Sequence, residues 1–138
     1  MRVMVLVKGT PEEEARSAGN EAEFTAMGRF NEELVNAGVM LAGEGLLPSS
    51  HGVRVRFDGA TRTVIDGPFT EAKEMIAGFW IWQVRSLEEA IQWLKKAPFD
   101  GGAEIEIRQV AEVDDLGDAF TPELRAQDER IRAAAARQ

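Results

Sequence analysis

The sequence contains no cysteine and no tyrosine, and its one histidine is His51. Without cysteine the chain has no disulfide bond, no thiolate metal site and no cysteine nucleophile. A single imidazole leaves only carboxylates as further metal ligands, and the glycines match neither of the glycine-rich phosphate-binding patterns. We therefore expect neither a metal nor a cofactor.

Positive charge is also scarce, with 16 lysines and arginines against 24 aspartates and glutamates and a formal net charge of −8. Nucleic-acid binding needs clustered cations, so we expect no such partner. No apolar run approaches the ~18 residues of a membrane span, and residues 1–8 are too few for a signal peptide. We expect one domain in the cytoplasm, without a membrane partner.

The first part of the chain predicts a strand and then a helix. Residues 2–8 are apolar on both faces, which is typical of a strand covered on both sides. Residues 9–19 are polar and predict a loop or a weak helical turn. The helix is expected over residues 21–37, with Gly38 just past its end. Its core stripe consists of Phe24, Met27, Phe30 and Leu34.

A short strand is expected to begin at Val39, and residues 48–52 have the composition of a loop. Between them, Gly43 and Gly45 flank Glu44, and the missing side chains leave room for a ligand or a second backbone. Glu44 is then either an exposed bend residue or a binding residue beside that space.

Residues 53–66 predict a β-hairpin, for which two registers compete. A two-residue turn at Asp58-Gly59 places His51 directly opposite Asp66. A three-residue loop with a bulge shifts the pairing by one residue and matches the apolar faces better. In either register His51 lies within about one residue of facing Asp66, and opposite Cβ atoms are ~5 Å apart.

The stretch after the hairpin restricts the backbone at neighbouring positions. Gly67 tolerates a positive φ, and Pro68 fixes its own φ while moving Gly67 away from the α region. One interpretation is a tight turn with the solvated charges of Glu71 and Lys73 behind it. The other is a rigid loop that holds Asp66 at the mouth of a cleft, because function concentrates on loops fixed by a scaffold.

The second half predicts a strand over residues 76–84 that is apolar on both faces, then a helix that begins at Ser86 with Glu89 completing a capping box. The buried stripe of that helix consists of Leu87, Ile91 and Leu94. The last strand, around residues 104–108, has one polar face. After an acidic link, Thr121 caps a helix that ends near residue 136 and has few large apolar residues.

This order predicts an α+β fold, a ferredoxin-like βαββαβ core with an inserted hairpin, over residues 1–111. Residues 112–138 form the acidic link and a helix that packs on the body or on a partner. Both core helices cover one sheet face and leave the other bare. A bare apolar face of that size marks an interface, so we expect a homodimer.

The sequence also resembles a known family. The stretch Asp66-Gly67-Pro68-Phe69-Thr70-Glu71-Ala72-Lys73-Glu74 resembles the signature of the YCII-related proteins, in the subgroup named for its DGPF tetrapeptide. Five further segments are similar to that family and occur in its order: Ala42-Gly43-Glu44-Gly45-Leu46, Pro48-Ser49, Ala77-Gly78-Phe79-Trp80, Glu106-Ile107-Arg108 and Thr121-Pro122-Glu123-Leu124.

The resemblance implies a ferredoxin-like unit that dimerises as an α/β barrel. Some members of the wider family act on small molecules, for example by removing chloride from an aromatic ring, and a His and an Asp are suspected at their site. Only Asp66 lies within the motif here. The resemblance also implies association with an extracytoplasmic-function sigma factor, because DGPF members are often encoded beside one.

Two functions of different class follow. The first is a cofactor-independent enzyme that transfers protons on a small molecule, by elimination, isomerisation or dehalogenation, with Asp66 and His51 catalytic. The second is a non-catalytic ligand-binding or regulatory module. The residues expected to bind the ligand are Glu44, Pro68, Phe69, Glu71, Lys73 and Trp80, with Trp82 as a further apolar wall.

Overall fold

The computed structural model describes residues 1–16 and 19–138. Its strands are β1 (Arg2–Gly9), β2 (Met40–Gly45), β3 (Val53–Asp58), β4 (Thr61–Asp66), β5 (Met75–Gln83) and β6 (Ile105–Gln109). Its helices are α1 (Pro11–Glu14), α2 (Glu21–Asn36), α3 (Leu87–Lys95) and α4 (Pro122–Ala136), with 3₁₀ turns at Ser49–His51 and Val113–Leu116.

Four strands form an antiparallel sheet in the order β2-β5-β1-β6. Without the hairpin β3–β4, which forms a separate two-stranded sheet, this is the strand order 2-3-1-4 of a βαββαβ unit. The mixed α+β architecture is consistent with the predicted ferredoxin-like fold. The first and third core strands are central and the last is an edge strand, as their apolar patterns predicted.

The core lies on one face of this sheet. Val3 and Val5 of β1 and Trp80 and Trp82 of β5 are buried there. Phe30 of α2 packs edge-on against Trp80, with ring centroids 5.9 Å apart. The other residues of this core cluster are Leu34, Val39, Val84 and Ala90 of α3. Both long core helices therefore cover the same face.

The opposite face of the sheet is not covered by a helix in the part of the chain that the structure describes. It carries Met4 and Leu6 of β1, which pair with Ile81 and Phe79 of β5. All four side chains are only partly buried. We call this surface the open sheet face.

Local hydrogen bonds explain where the helices begin. The side chains of Asn20, Ser86 and Thr121 each accept a hydrogen bond from the backbone N–H three residues on. The predicted capping box of α3 is only half formed, because the Glu89 carboxylate accepts from the N–H of Arg85 and not of Ser86.

Two predicted core residues are exposed. Phe24 of α2 is 61% exposed and Leu87 of α3 is 50% exposed. Each lies in the first turn of its helix, ahead of the residues that reach the sheet. The polar segment predicted over residues 9–19 contains the short helix α1, and residues 17 and 18 of it lie outside the described residues.

Both predicted registers of the hairpin were wrong. Asp58 pairs with Thr61 and Val53 with Asp66, so the turn consists of Gly59 and Ala60. Gly59 has a φ of +58°, as the first central position of a type II′ turn requires. Because glycine takes that position, the turn lies one residue later than an Asp58-Gly59 turn, and the pairing moves with it.

The C-terminal helix α4 begins at Pro122 with Thr121 as its cap, as predicted. None of its residues is buried, and Leu124 and Ile131 are exposed. Arg125 forms an ion pair with Asp114 of the preceding turn at 3.0 Å. Within the described ranges, no helix combines the length and the apolar character needed to cross a membrane.

Candidate functional site

A cleft of about 900 Å³ lies between the open sheet face and the segment that enters the hairpin. Leu6 and Ile76 of the sheet and the apolar side chains of Leu47 and Phe69 are among its lining residues. His51 and Ser49 also line it. Concave sites that combine apolar side chains with polar groups are the usual form of a small-molecule site.

Gly67 of the DGPF stretch fits tightly against the segment that carries His51. A Cβ atom at this position would overlap the carbonyl oxygen of Ser49. The N–H of Gly67 donates to the carbonyl of Gly52 at 2.9 Å, and the peptide bond between Gly67 and Pro68 is cis. Close backbone approach therefore accounts for the glycine, and the positive φ that the sequence allowed here does not occur.

Ser49 connects three segments at one wall of the cleft. Its backbone N–H donates to Oε1 of Glu14 at 2.9 Å, and its hydroxyl donates to Oε2 at 2.7 Å. The same hydroxyl oxygen accepts the N–H of Phe69 at 3.1 Å. A residue of α1, the loop before the hairpin and the DGPF stretch thus meet at one side chain.

His51 ends the 3₁₀ turn that Ser49 begins, and its backbone N–H donates to the carbonyl of Pro48 at 2.9 Å. Its side chain is exposed and lines the cleft. It does not face Asp66, because Val53 takes that position in the ladder. The expectation that His51 lies within one residue of facing Asp66 was wrong.

Asp66 ends β4 and is exposed. It is not among the residues that line the cleft. The next residue, Gly67, donates a backbone hydrogen bond to Gly52, and Gly52 directly follows His51. The two backbones are therefore neighbours, although the side chains are not an opposed pair. A catalytic role of Asp66 stays a prediction.

The cleft wall has three cations, Lys8, Arg54 and Arg108, and each forms an ion pair with a carboxylate of the same chain. Lys8 lies 3.4 Å from Glu74 and from Glu104, and 3.6 Å from Glu106. Partial burial lowers the pKa of the Lys8 ammonium, but the carboxylates of Glu74 and Glu104 together outweigh this and raise it above its ordinary value. Arg108 pairs with Glu106 at 3.3 Å.

Arg54 is held at the rim by two members of the DGPF stretch. Its guanidinium lies 3.8 Å from the ring centroid of Phe69, a cation–π contact. It also donates to Glu71 at 3.2 Å. Of the predicted binding residues, Phe69 lines the cleft and Glu71 contacts this arginine, and their roles in binding stay predictions. Pro68 and Lys73 are exposed and do not line the cleft.

The charges of the cleft wall balance. Its charged lining residues other than His51 are Lys8, Arg54, Arg108, Glu14, Glu74 and Glu106. Such a wall does not favour a ligand of high charge, and it leaves a largely apolar molecule with one polar group as the better fit.

Two predicted binding residues lie elsewhere. Glu44 is within β2 opposite Phe79, so it is an exposed strand residue and not a bend residue. With Trp80 it lines a second cavity of about 240 Å³ that also reaches Met27 of α2. Gly43 admits the Trp80 ring, because a Cβ there would lie 2.6 Å from Cδ1. Trp82 has no exposed surface, so its interpretation as a ligand-contacting wall was wrong.

Glu14, Lys8 and Arg108 were not singled out as site residues from the sequence, whereas Arg54 belongs to a group of hairpin arginines whose charge was a candidate for an anionic ligand or for solubility. Among the three that were missed, only Arg108, within a family-like segment, carried any local signal. Glu14 and Lys8 are joined to the site by contacts between residues far apart in the chain, which no spacing reveals.

The model of the YCII-related domain matches residues 1–114. The chain belongs to the YCII-related family. It is also similar to an uncharacterized protein of Rhizobium meliloti (strain 1021), with 33% identity over 61 residues. The match covers 44% of this chain and 49% of that protein, so it spans about half the length of the relative.

Proposed function

We propose that this YCII-related protein is a cofactor-independent enzyme that transfers protons on a small molecule bound in the cleft, with His51 as general acid and base. The observation that carries the proposal is the placement of the only histidine on a cleft that Leu6, Leu47, Phe69 and Ile76 line with apolar side chains. An imidazole ring has one nitrogen that can accept a proton and one that can donate a proton, and it therefore suits both directions of a proton transfer.

The chemistry needs no external oxidant. In an elimination, His51 takes a proton from the substrate while an anion such as chloride leaves and a π bond forms. In an isomerisation, the same proton returns to a different atom. Asp66 would act from the neighbouring strand end, by orienting the imidazole or stabilising its cation.

The proposal includes a homodimer that closes over the open sheet face, as in an α/β barrel. That interface would contain Met4, Leu6, Phe79 and Ile81, and the second subunit would cover the cleft.

The match of residues 66–74 to the DGPF signature supports placing the chain in that subgroup.

A second candidate is a non-catalytic ligand-binding or regulatory module, associated with an extracytoplasmic-function sigma factor. The exposure of His51 and the width of the cleft in one subunit favour it, since general bases usually act in sites that exclude water.

A thermal-shift screen of small aromatic and aliphatic compounds tests the site, because a ligand of the native state raises the unfolding temperature. Each hit is retested on His51→Gln and on Ser50→Ala. Ser50 is the matched control, because it lies in the same 3₁₀ turn but does not line the cleft. We expect the shift to be lost in His51→Gln and kept in Ser50→Ala. Equal shifts in all three proteins would exclude His51 from the site.

A further inference from the structure

The carboxylate of Glu14 is used in an unusual way for a half-exposed acidic side chain. Among the described residues, no lysine or arginine lies within ion-pair distance of it. Instead both oxygens accept from one residue, at 2.9 Å from the N–H of Ser49 and at 2.7 Å from its hydroxyl. Hydrogen bonds to an ionised acceptor are stronger than neutral ones, and two of them fix orientation as well as distance.

The contact joins segments that are far apart in the sequence, since Glu14 and Ser49 are 35 positions apart. Ser49 is only partly exposed, and its hydroxyl oxygen still accepts the N–H of Phe69 at 3.1 Å. A surface pair of flexible side chains contributes little, but this arrangement holds a backbone N–H and a side chain at once.

What Ser49 holds is the turn that ends at His51. The carbonyl of Ser49 accepts the N–H of Gly52 at 2.9 Å, and Gly67 is packed against the same carbonyl. Displacing Ser49 would therefore move the turn as a unit and change where the imidazole enters the cleft.

We propose that Glu14 is a positioning residue, which sets the place of His51 in the cleft by holding Ser49 through two hydrogen bonds. The functional part of this inference, that the position of His51 matters for activity, rests on the proposed function. The mechanical claim, that Glu14 orders the turn, is tested without any substrate.

The test uses nuclear magnetic resonance on the full chain, in which one histidine gives one set of imidazole signals. The variants are Glu14→Gln, which removes the charge and one acceptor, and Ser49→Ala, which removes the hydroxyl. The controls are Glu12→Gln, an exposed neighbour in α1, and Ser49→Thr, which keeps the hydroxyl.

We expect the backbone order parameters of His51 and Gly52 to fall from ~0.85 to below ~0.6 in Glu14→Gln and Ser49→Ala. The imidazole Cε1–H signal should shift toward its position in an unfolded peptide. Glu12→Gln and Ser49→Thr should match the wild type. Unchanged order parameters in Glu14→Gln and Ser49→Ala would overturn the proposal.

If Glu14→Gln does not fold, Glu14→Asp, which keeps the charge but shortens the side chain, takes its place, because Ser49→Ala also removes the acceptor of the Phe69 N–H. Failure of the proposed function looks different. In that case His51→Gln would leave ligand binding unchanged, whereas the order parameters would still depend on Glu14.

Discussion

Gly67 lies so close to Ser49 that a Cβ atom at position 67 would overlap the Ser49 carbonyl oxygen. The obstacle is backbone rather than a flexible side chain, so one of the two strand-flanking segments has to move if the glycine is replaced. This contact and the hydrogen bond from the Gly67 N–H to the Gly52 carbonyl join the turn after the hairpin to the turn that carries His51.

Gly67→Ala should therefore destabilise the protein by about 1–3 kcal/mol, the usual cost of forcing an extra carbon into a packed site. Urea denaturation measures the change in the free energy of unfolding. The matched control is Gly45→Ala, since nothing lies within 4 Å of a Cβ there and its φ is not positive. An equal effect at both positions would show that the contact with Ser49 is not the cause.

Asp66→Asn should leave stability within ~1 kcal/mol, because the side chain is exposed and neutralising it costs no packing. It should nevertheless abolish turnover if Asp66 assists His51. In a cycle with His51→Gln, the double variant should lose no more activity than either single one. Additive losses would show that His51 and Asp66 do not act as one unit. A large loss of stability in Asp66→Asn with unchanged ligand binding would make Asp66 a structural turn residue.

The homodimer is tested by sedimentation at micromolar concentration, where we expect a species of roughly twice the 15.2 kDa chain mass. Phe79→Arg places a charge on the open sheet face and should yield a folded monomer. Val35→Arg, on an exposed position of α2, is the control and should stay dimeric. A compact wild-type monomer would exclude this interface.

Removal of the residues after Leu116 should lower stability but leave a folded sheet, because α4 has no buried residue. Circular dichroism of the shortened chain shows whether the sheet is folded, and its thermal unfolding measures the loss of stability. Complete loss of native circular dichroism would contradict the view that residues 1–111 fold as the body.

The ion pairs of Lys8 give a prediction about pH. Its folded-state pKa lies above the ordinary 10.5, so its contribution to stability is complete below that value and declines as pH rises through the folded-state pKa. Lys8→Met should therefore destabilise the protein at neutral pH and progressively less above 10.5. Lys73→Met, at an exposed position, should show no such trend.

Much of the fold of residues 1–111 can be predicted from the sequence, because the alternation of side chains along a strand shows which of its faces are apolar. Val3 and Val5 alternate with Met4 and Leu6, and both sets were expected to need cover. The helix caps at Ser86 and Thr121 follow from local chemistry alone. The fold is thus predictable where each side chain's partner lies within a turn or on a regular face.

The site was less predictable, for two physical reasons. The register of the hairpin depends on which residue takes the positive φ, and Gly59 can serve in either of two turn positions. The bonds from Glu14 to Ser49 join residues whose proximity depends on the complete fold. A run of glutamates after a strand gives no sign that one of them holds a loop.

The central claim is that His51 transfers protons on a bound small molecule. Solvent exchange measures this most directly: each compound that binds is incubated in D₂O with the protein and its C–H signals are followed by proton magnetic resonance. The account predicts that the wild type incorporates deuterium at a carbon of the ligand and that His51→Gln does not, while Ser50→Ala exchanges like the wild type. Binding without exchange in the wild type, or exchange that persists in His51→Gln, would contradict it.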